Sequence, residues 1–146
     1  MKYLTFFVAG VPVPKGSAKA YVNKHTGRAQ VMQDNRDKQK PWASSISYTA
    51  MQEMKFEKPA AGPFHIDLHF VMPRLKSHFG TGKKADVLRD DASEFHVSKP
   101  DLDKLVRCVK DALTGVVWND DSQVCTMTAS KTYGVRPGVS IAVKRL

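Results

Sequence analysis

Asp101 and Asp103 open the stretch KPDLDKLVRCVKDALTGVVWNDDSQV, and Asp120 and Asp121 stand near its end. Carboxylate oxygens are hard ligands and suit a divalent cation such as Mg²⁺. From Pro100 to Asp121 there are three basic and five acidic residues, a net of −2, whereas the rest of the chain sums to +11. Acids gathered inside a basic chain imply a cation between them. Carboxylates, a hard cation and a basic surround describe a nuclease site. There the ion turns a bound water into the attacking hydroxide and stabilises the leaving oxygen.

Something must hold those side chains together. Leu102, Leu105, Val106, Val109, Ala112 and Leu113 recur at helical spacing, so a helix is expected over 102–113, with Gly115 as its stop. Two positions along a helix turn a side chain by about 200°. Asp101 and Asp103 therefore converge only if Asp101 sits at or before the N-cap, where the backbone is extended. Lys99-Pro100 favours this, because a residue before proline avoids helical geometry. Asp101 is then expected to cap the helix while Asp103 points out of its first turn, with Arg107 four residues further on the same face. Asp is also a common helix cap, and Asn-Asp-Asp a common turn. The residues alone leave a metal site and a purely structural role both open.

The flanking chain reads as strands and one more helix. Residues 3–9 are dense in aromatic and β-branched types, as in a strand. A Pro/Gly-punctuated basic loop, 10–19, leads to a small hairpin of 20–23 with 29–32. Trp42, Ala43, Ile46, Ala50, Met51 and Met54 mark a helix, with Pro41 in its first turn. In 64–72, Phe64, Ile66, Leu68, Phe70 and Met72 alternate with His65, Asp67 and His69, the pattern of a half-buried strand. His-x-Asp-x-His has metal-ligand spacing too, but polar residues on the wet side of a strand account for it. Residues 74–99 are long and irregular with mixed charge; their basic half, Arg74 to Lys84, reads either as a track for a phosphate backbone or as a mobile solvated loop. Residues 124–133 and 138–144 read as two strands joined into a hairpin by 134–137.

A chain of 146 residues with 42% hydrophobic and 25% charged residues suggests one domain with a single core. Its net charge of +9 and pI near 9.7 favour a polyanionic partner. The charge is uneven: residues 1–33 hold five Lys or Arg and no acid, and residues 122–146 hold four and no acid. Cys108 and Cys125 lack metal-ligand spacing and read as buried, reduced thiols, which suits the cytoplasm. The opening MKYLTFFVAGVPVPKGSA imitates a signal peptide, but Thr5, Gly10, Pro12 and Pro14 interrupt it. Export and a membrane are not expected; a bacterial or phage-infected cytoplasm is.

KPDLDKL, DALTG and NDDSQV, in that order, closely resemble the motif of RusA-type Holliday junction resolvases. These are Mg²⁺-dependent endodeoxyribonucleases often carried by phages and prophages. The strong likeness covers about residues 98–125. A weaker one reaches the Gly-x-Pro-x-Pro-Lys after the first strand and the final two strands. The resemblance implies that Asp101, Asp103 and Asp121 are the metal-binding acids, with Asp120 beside them, and that Mn²⁺ can replace Mg²⁺. The family usually has Asn where Lys104 stands and Lys where Arg107 stands. Arg107 keeps a charge that steadies a phosphate or the transition state, but its pKa is too high for proton exchange. Lys104 adds a cation one turn from Asp101.

The implied fold is α+β, a small mixed sheet with two main helices working as a two-fold homodimer, since two symmetric cuts in a four-way junction ask for two equivalent sites. Candidate DNA contacts are Lys15, Lys19, Lys24, Arg28, Arg74, Lys76, Lys83, Lys84 and Lys104, with Lys144 and Arg145. Two other functions compete with junction resolution: a nuclease for flaps, branches or plain duplex, and a non-catalytic nucleic-acid-binding module that needs no metal.

Overall fold

The computed structural model describes residues 1–16, 18–33 and 36–146. Strand β1 (Tyr3–Ala9) is followed by β2 (Ala18–Val22), β3 (Ala29–Gln33), helix α1 (Arg36–Glu53), β4 (Phe64–Pro73), helix α2 (Leu102–Leu113), β5 (Val124–Gly134) and β6 (Gly138–Arg145). β2 and β3 form a separate antiparallel ribbon. The other four strands make one mixed sheet in the order β1-β6-β4-β5, with β4 and β5 parallel and the other pairs antiparallel. The expected α+β class and two-helix plan are present.

Period-two alternation sets the sheet's faces. Leu4, Phe6 and Val8 of β1, every second residue of β4 from Phe64 to Met72, and Val139, Ile141 and Val143 of β6 are buried on one side. The two helices cover that side. Trp42, Ile46 and Ala50 of α1 and Leu105, Val109 and Leu113 of α2 complete a single core. The helices are also tied directly: the Ser47 hydroxyl donates to Ala112 O at 2.7 Å. Trp118, fully buried just beyond α2, packs on Phe64 with ring centroids 5.8 Å apart and donates its indole N–H to Thr114 Oγ1.

The opposite face of the sheet carries His65, Asp67 and His69. His65 Nδ1 lies 2.6 Å from Thr126 Oγ1, His69 Nδ1 lies 2.7 Å from Ser130 Oγ, and Asp67 accepts from the Thr128 hydroxyl. Each polar side chain of β4 is thus engaged by a hydroxyl on the strand beside it, which suits the wet side of a strand.

Three expectations are overturned by the fold. β5 and β6 are not a hairpin, because β4 lies between them and pairs with both. The three-residue link passes over the end of β4, and glycines stand at both sides of the crossing. A Cβ on Gly134 would sit 2.5 Å from Val71 Cγ1, and one on Gly138 would sit 2.4 Å from Val8 O. Pro41 lies inside α1, not in its first turn, since the helix already begins at Arg36. The ring removes one backbone hydrogen bond, but packing of Trp42, Ile46 and Ala50 carries the helix through. Cys125 is exposed rather than buried, next to a register shift where β5 leaves its pairing with Phe64. Cys108 is buried as expected, and burial, helped by the Asp111 charge, pushes its thiol up to about 11.

Residues 74–99 are irregular and mostly exposed, as expected, but their far end is anchored to the sheet. Short 3₁₀ turns form at Lys76–His78 and Gly82–Lys84, and Phe79 bridges to Leu88. The segment's end lies along the outer edge of β5, where Tyr133 N donates to Glu94 O at 2.9 Å and His96 N to Lys131 O at 3.3 Å. Tyr133 anchors the rest, with the rings of His78 and His96 at 4.6 and 4.8 Å and the Arg74 guanidinium 5.5 Å above it.

Candidate active site

Asp101 occupies the N-cap position of α2 with extended backbone (φ −68°, ψ 141°), and its carbonyl accepts from Leu105 N at 3.2 Å. Its carboxylate makes no capping hydrogen bond. The cap is therefore a backbone one, and the side chain is left for other work, contrary to the expectation that it would cap the helix. The nearest cation is Lys104 Nζ at 3.9 Å. Asp103 is exposed in the first turn, and Arg107 is exposed four residues further along.

Asp120 does what Asp101 does not. Its carboxylate accepts from Ser122 N at 2.8 Å, and Gln123 completes a reciprocal capping box. Hydrogen bonds from the Ser122 side chain and backbone hold the Asp120 carboxyl below the usual range. Gln123 fastens this turn to the body: its Oε1 accepts from Asn119 N and Asp120 N, and its Nε2 donates to Ala60 O and Gly62 O. Asp121 follows, half-buried, with its carboxylate 3.9 Å from Lys110 Nζ in the last turn of α2. Lys110 is seven residues beyond Asp103, roughly 10 Å along the helix axis. Asp101 and Asp103 thus sit at one end of α2, with Asp120 and Asp121 at the other. Among the described residues, no three His, Cys, Asp or Glu side chains lie close enough to hold one ion.

The surroundings of Asp101 are basic. A cleft of about 470 Å³ is lined by Lys15, Lys38, Lys99 and Lys104 together with Asp101 itself. The Gly-x-Pro-x-Pro-Lys segment forms its opposite wall. That wall is clipped to α2 by Lys15 N donating to Lys104 O at 3.0 Å and by an ion pair between Lys15 and Asp111. Beneath the cleft, Lys131 of β5 donates to Ser98 O and Pro100 O, each at 2.7 Å.

Of the expected DNA contacts, Lys15 and Lys104 meet at this cleft. Lys24 and Arg28 are exposed at the tip of the β2–β3 ribbon, some way along the chain from the acids. The backbone of Lys19 belongs to the same ribbon, but its side chain lies outside the described residues. Lys76, Lys83 and Lys84 are exposed on the 74–99 segment. Arg74 donates to Ser93 O at 2.6 Å as well as covering Tyr133, so it braces that segment. Lys144 and Arg145 end β6 and are exposed.

Sequence reasoning missed Lys38, Lys99, Lys131 and Gln123. Lys99, directly before the acidic motif, offered a local signal. Lys131 offered one too: a lysine at a position where the alternation of β5 points toward the helices. Gln123 offered one as well, standing three residues after Asp120 as in a capping box, although its bonds to Ala60 and Gly62 depend on distant chain, and Lys38 gave none.

Over 146 residues the chain is 28% identical to the "Uncharacterized protein YqaN" of Bacillus subtilis (strain 168), a match spanning 100% of this chain and 99% of that protein. The sequence model of the family described as Endodeoxyribonuclease RusA matches residues 10–144, which takes in the clipped basic wall, both ends of α2 and all of β5. The chain belongs to the RusA endodeoxyribonuclease family.

Proposed function

We propose that this protein is a divalent-metal-dependent endonuclease that resolves four-way DNA junctions, acting as a two-fold homodimer in a bacterial or phage-infected cytoplasm. One observation carries the reading. The Asp101 carboxylate is unused by the helix it begins, and it faces a cleft lined by four lysines. An acid spared from capping and set among cations suits a phosphodiester and its metal.

The donor chemistry fits Mg²⁺, which takes oxygen ligands, keeps several waters and is usually held by one or two carboxylates plus substrate phosphates. Asp101 and Asp103 would hold it; Asp121, the third acid that the family motif implies, stands by Lys110 at the other end of α2 and would have to move to join them. When bound, the ion activates water and offsets charge on the phosphate. Lys99 and Lys104 draw the backbone into the cleft, and Lys38 extends that surface. Arg107, exposed and without an acidic partner among the described residues, steadies negative charge on the phosphate under attack. Asp120, committed to its turn, orients Asp121 rather than binding metal.

The test is cleavage of a synthetic four-way junction, a fork and a linear duplex in Mg²⁺. Cutting of the junction alone, in symmetric pairs, is the expected result. Asp103→Asn and Asp121→Asn should each abolish cutting and leave junction binding intact. Normal cutting by Asp103→Asn refutes the mechanism, and equal cutting of the linear duplex refutes the junction specificity.

A further inference from the structure

Lys131 sits on the half of β5 that faces the helices, opposite the buried Phe70 of β4, where the alternation calls for an apolar side chain. It is half-buried, and its ammonium reaches the start of α2. A cation near a helix N-terminus opposes the helix dipole, so its position there needs a cause. Two short hydrogen bonds supply it: Lys131 Nζ donates to Ser98 O and to Pro100 O, each at 2.7 Å. Those carbonyls stand on either side of Lys99, and the second belongs to the residue before Asp101. Charge-assisted bonds of this kind are among the stronger ones a side chain makes.

The same residue holds this stretch by its backbone, since Lys131 O accepts from His96 N. With Tyr133 N on Glu94 O and Phe95 opposite Thr132, the chain from 94 to 100 is laid against β5 and delivered to α2 at a fixed height. No side chain caps α2 at Asp101. The lead into the helix is therefore secured from below, by Lys131, and not from within.

We propose that Lys131 is a positioning residue: by gripping the carbonyls of Ser98 and Pro100 it fixes the backbone at Asp101, which sets the Asp101 carboxylate at the cleft and the first turn of α2 that carries Asp103. This rests on the nuclease reading above. Lys131 touches neither metal nor DNA in this role. Its effect is transmitted through the backbone, as partners behind a ligand orient that ligand.

Two variants and two readouts test it. Hydrogen–deuterium exchange across residues 98–104, measured without metal, should be about ten-fold faster in Lys131→Met, with β4 and β6 unchanged. The Mg²⁺ concentration for half-maximal junction cutting should rise about ten-fold or more, while junction affinity in EDTA stays at the parental value. Lys131→Arg, which keeps a donor cation, should restore most of both properties. Parental exchange in Lys131→Met, or faster exchange with an unchanged Mg²⁺ requirement, overturns the proposal. If the exchange difference holds but the parent cuts no DNA in Mg²⁺, the nuclease reading falls and the anchoring of the α2 lead stands.

Discussion

Replacing Gln123 by Ala removes the fastening of the turn that carries Asp120 and Asp121. Four hydrogen bonds go with it: two accepted from Asn119 N and Asp120 N, and two donated to Ala60 O and Gly62 O. Bonds of this type are worth about 0.5–1.5 kcal/mol each. The first two involve exposed residues whose N–H groups can turn to water, so they count near the lower limit. The second two are half-buried and count near the middle. About 1 kcal/mol of side-chain freedom is regained on truncation, which leaves a net loss of about 2 kcal/mol. In urea, with m about 2 kcal/mol/M, the midpoint should fall by about 1 M. Asp120 also loses one side of its capping box, so junction cutting should drop more than the stability change explains at temperatures where the variant is fully folded. A midpoint within about 0.25 M of the parent, about 0.5 kcal/mol at that slope, refutes the assignment of Gln123 as the fastener.

Two further outcomes follow from the titrating groups. In the native protein a thiol reagent near pH 8 should label Cys125 and leave Cys108 until denaturant is added, because Cys108 is buried and its thiol is pushed up to about 11; equal rates for both contradict the packing of α2. Burial, and then the charge of Lys131, hold the His96 pKa below its ordinary 6.5. Below about pH 6.5 the unfolded segment binds a proton that the folded one resists, so its anchoring weakens as pH falls through that window. Limited proteolysis within 74–99 should speed up on going from about pH 7.5 to about pH 5.5, and His96→Phe should flatten the profile.

Short-range signals were legible in the sequence. The alternation in β4 and the stripe on α2 belong to a face that must be buried, and both elements lie where their periods indicated. The ribbon of β2 and β3 was also legible, because its turn is local. What escaped was decided by distant chain. Gly134 to Gly138 has the chemistry of a tight connection, so it reads as a hairpin, but only the insertion of β4 decides the pairing. Residues 74–99 look unstructured because their order comes from Tyr133 and Lys131, more than thirty residues later in the chain. At the site, the choice of acids came from spacing and resemblance. Which of them caps and which stays available could not be read: Asp101 and Asp120 both stand at N-cap positions, and only geometry shows the first carboxylate idle and the second engaged. Lys38 entered the cleft through the placement of α1.

The sheet order has a consequence for how the molecule is made. Tyr3 pairs with Lys144, Ile66 with Val143, and Leu68 with Ala129; of the adjacent pairs in the main sheet, β4 and β5 alone are consecutive strands, and α2 lies between them. A chain emerging from the ribosome can form its helices and the small ribbon, but it cannot lay down one rung of the large sheet until β5 is out. β1 must wait for β6. Such high contact order predicts slow, late, all-at-once folding, and a truncation that removes β6 should leave β1 and β4 with bare edges and a chain that aggregates instead of folding in part.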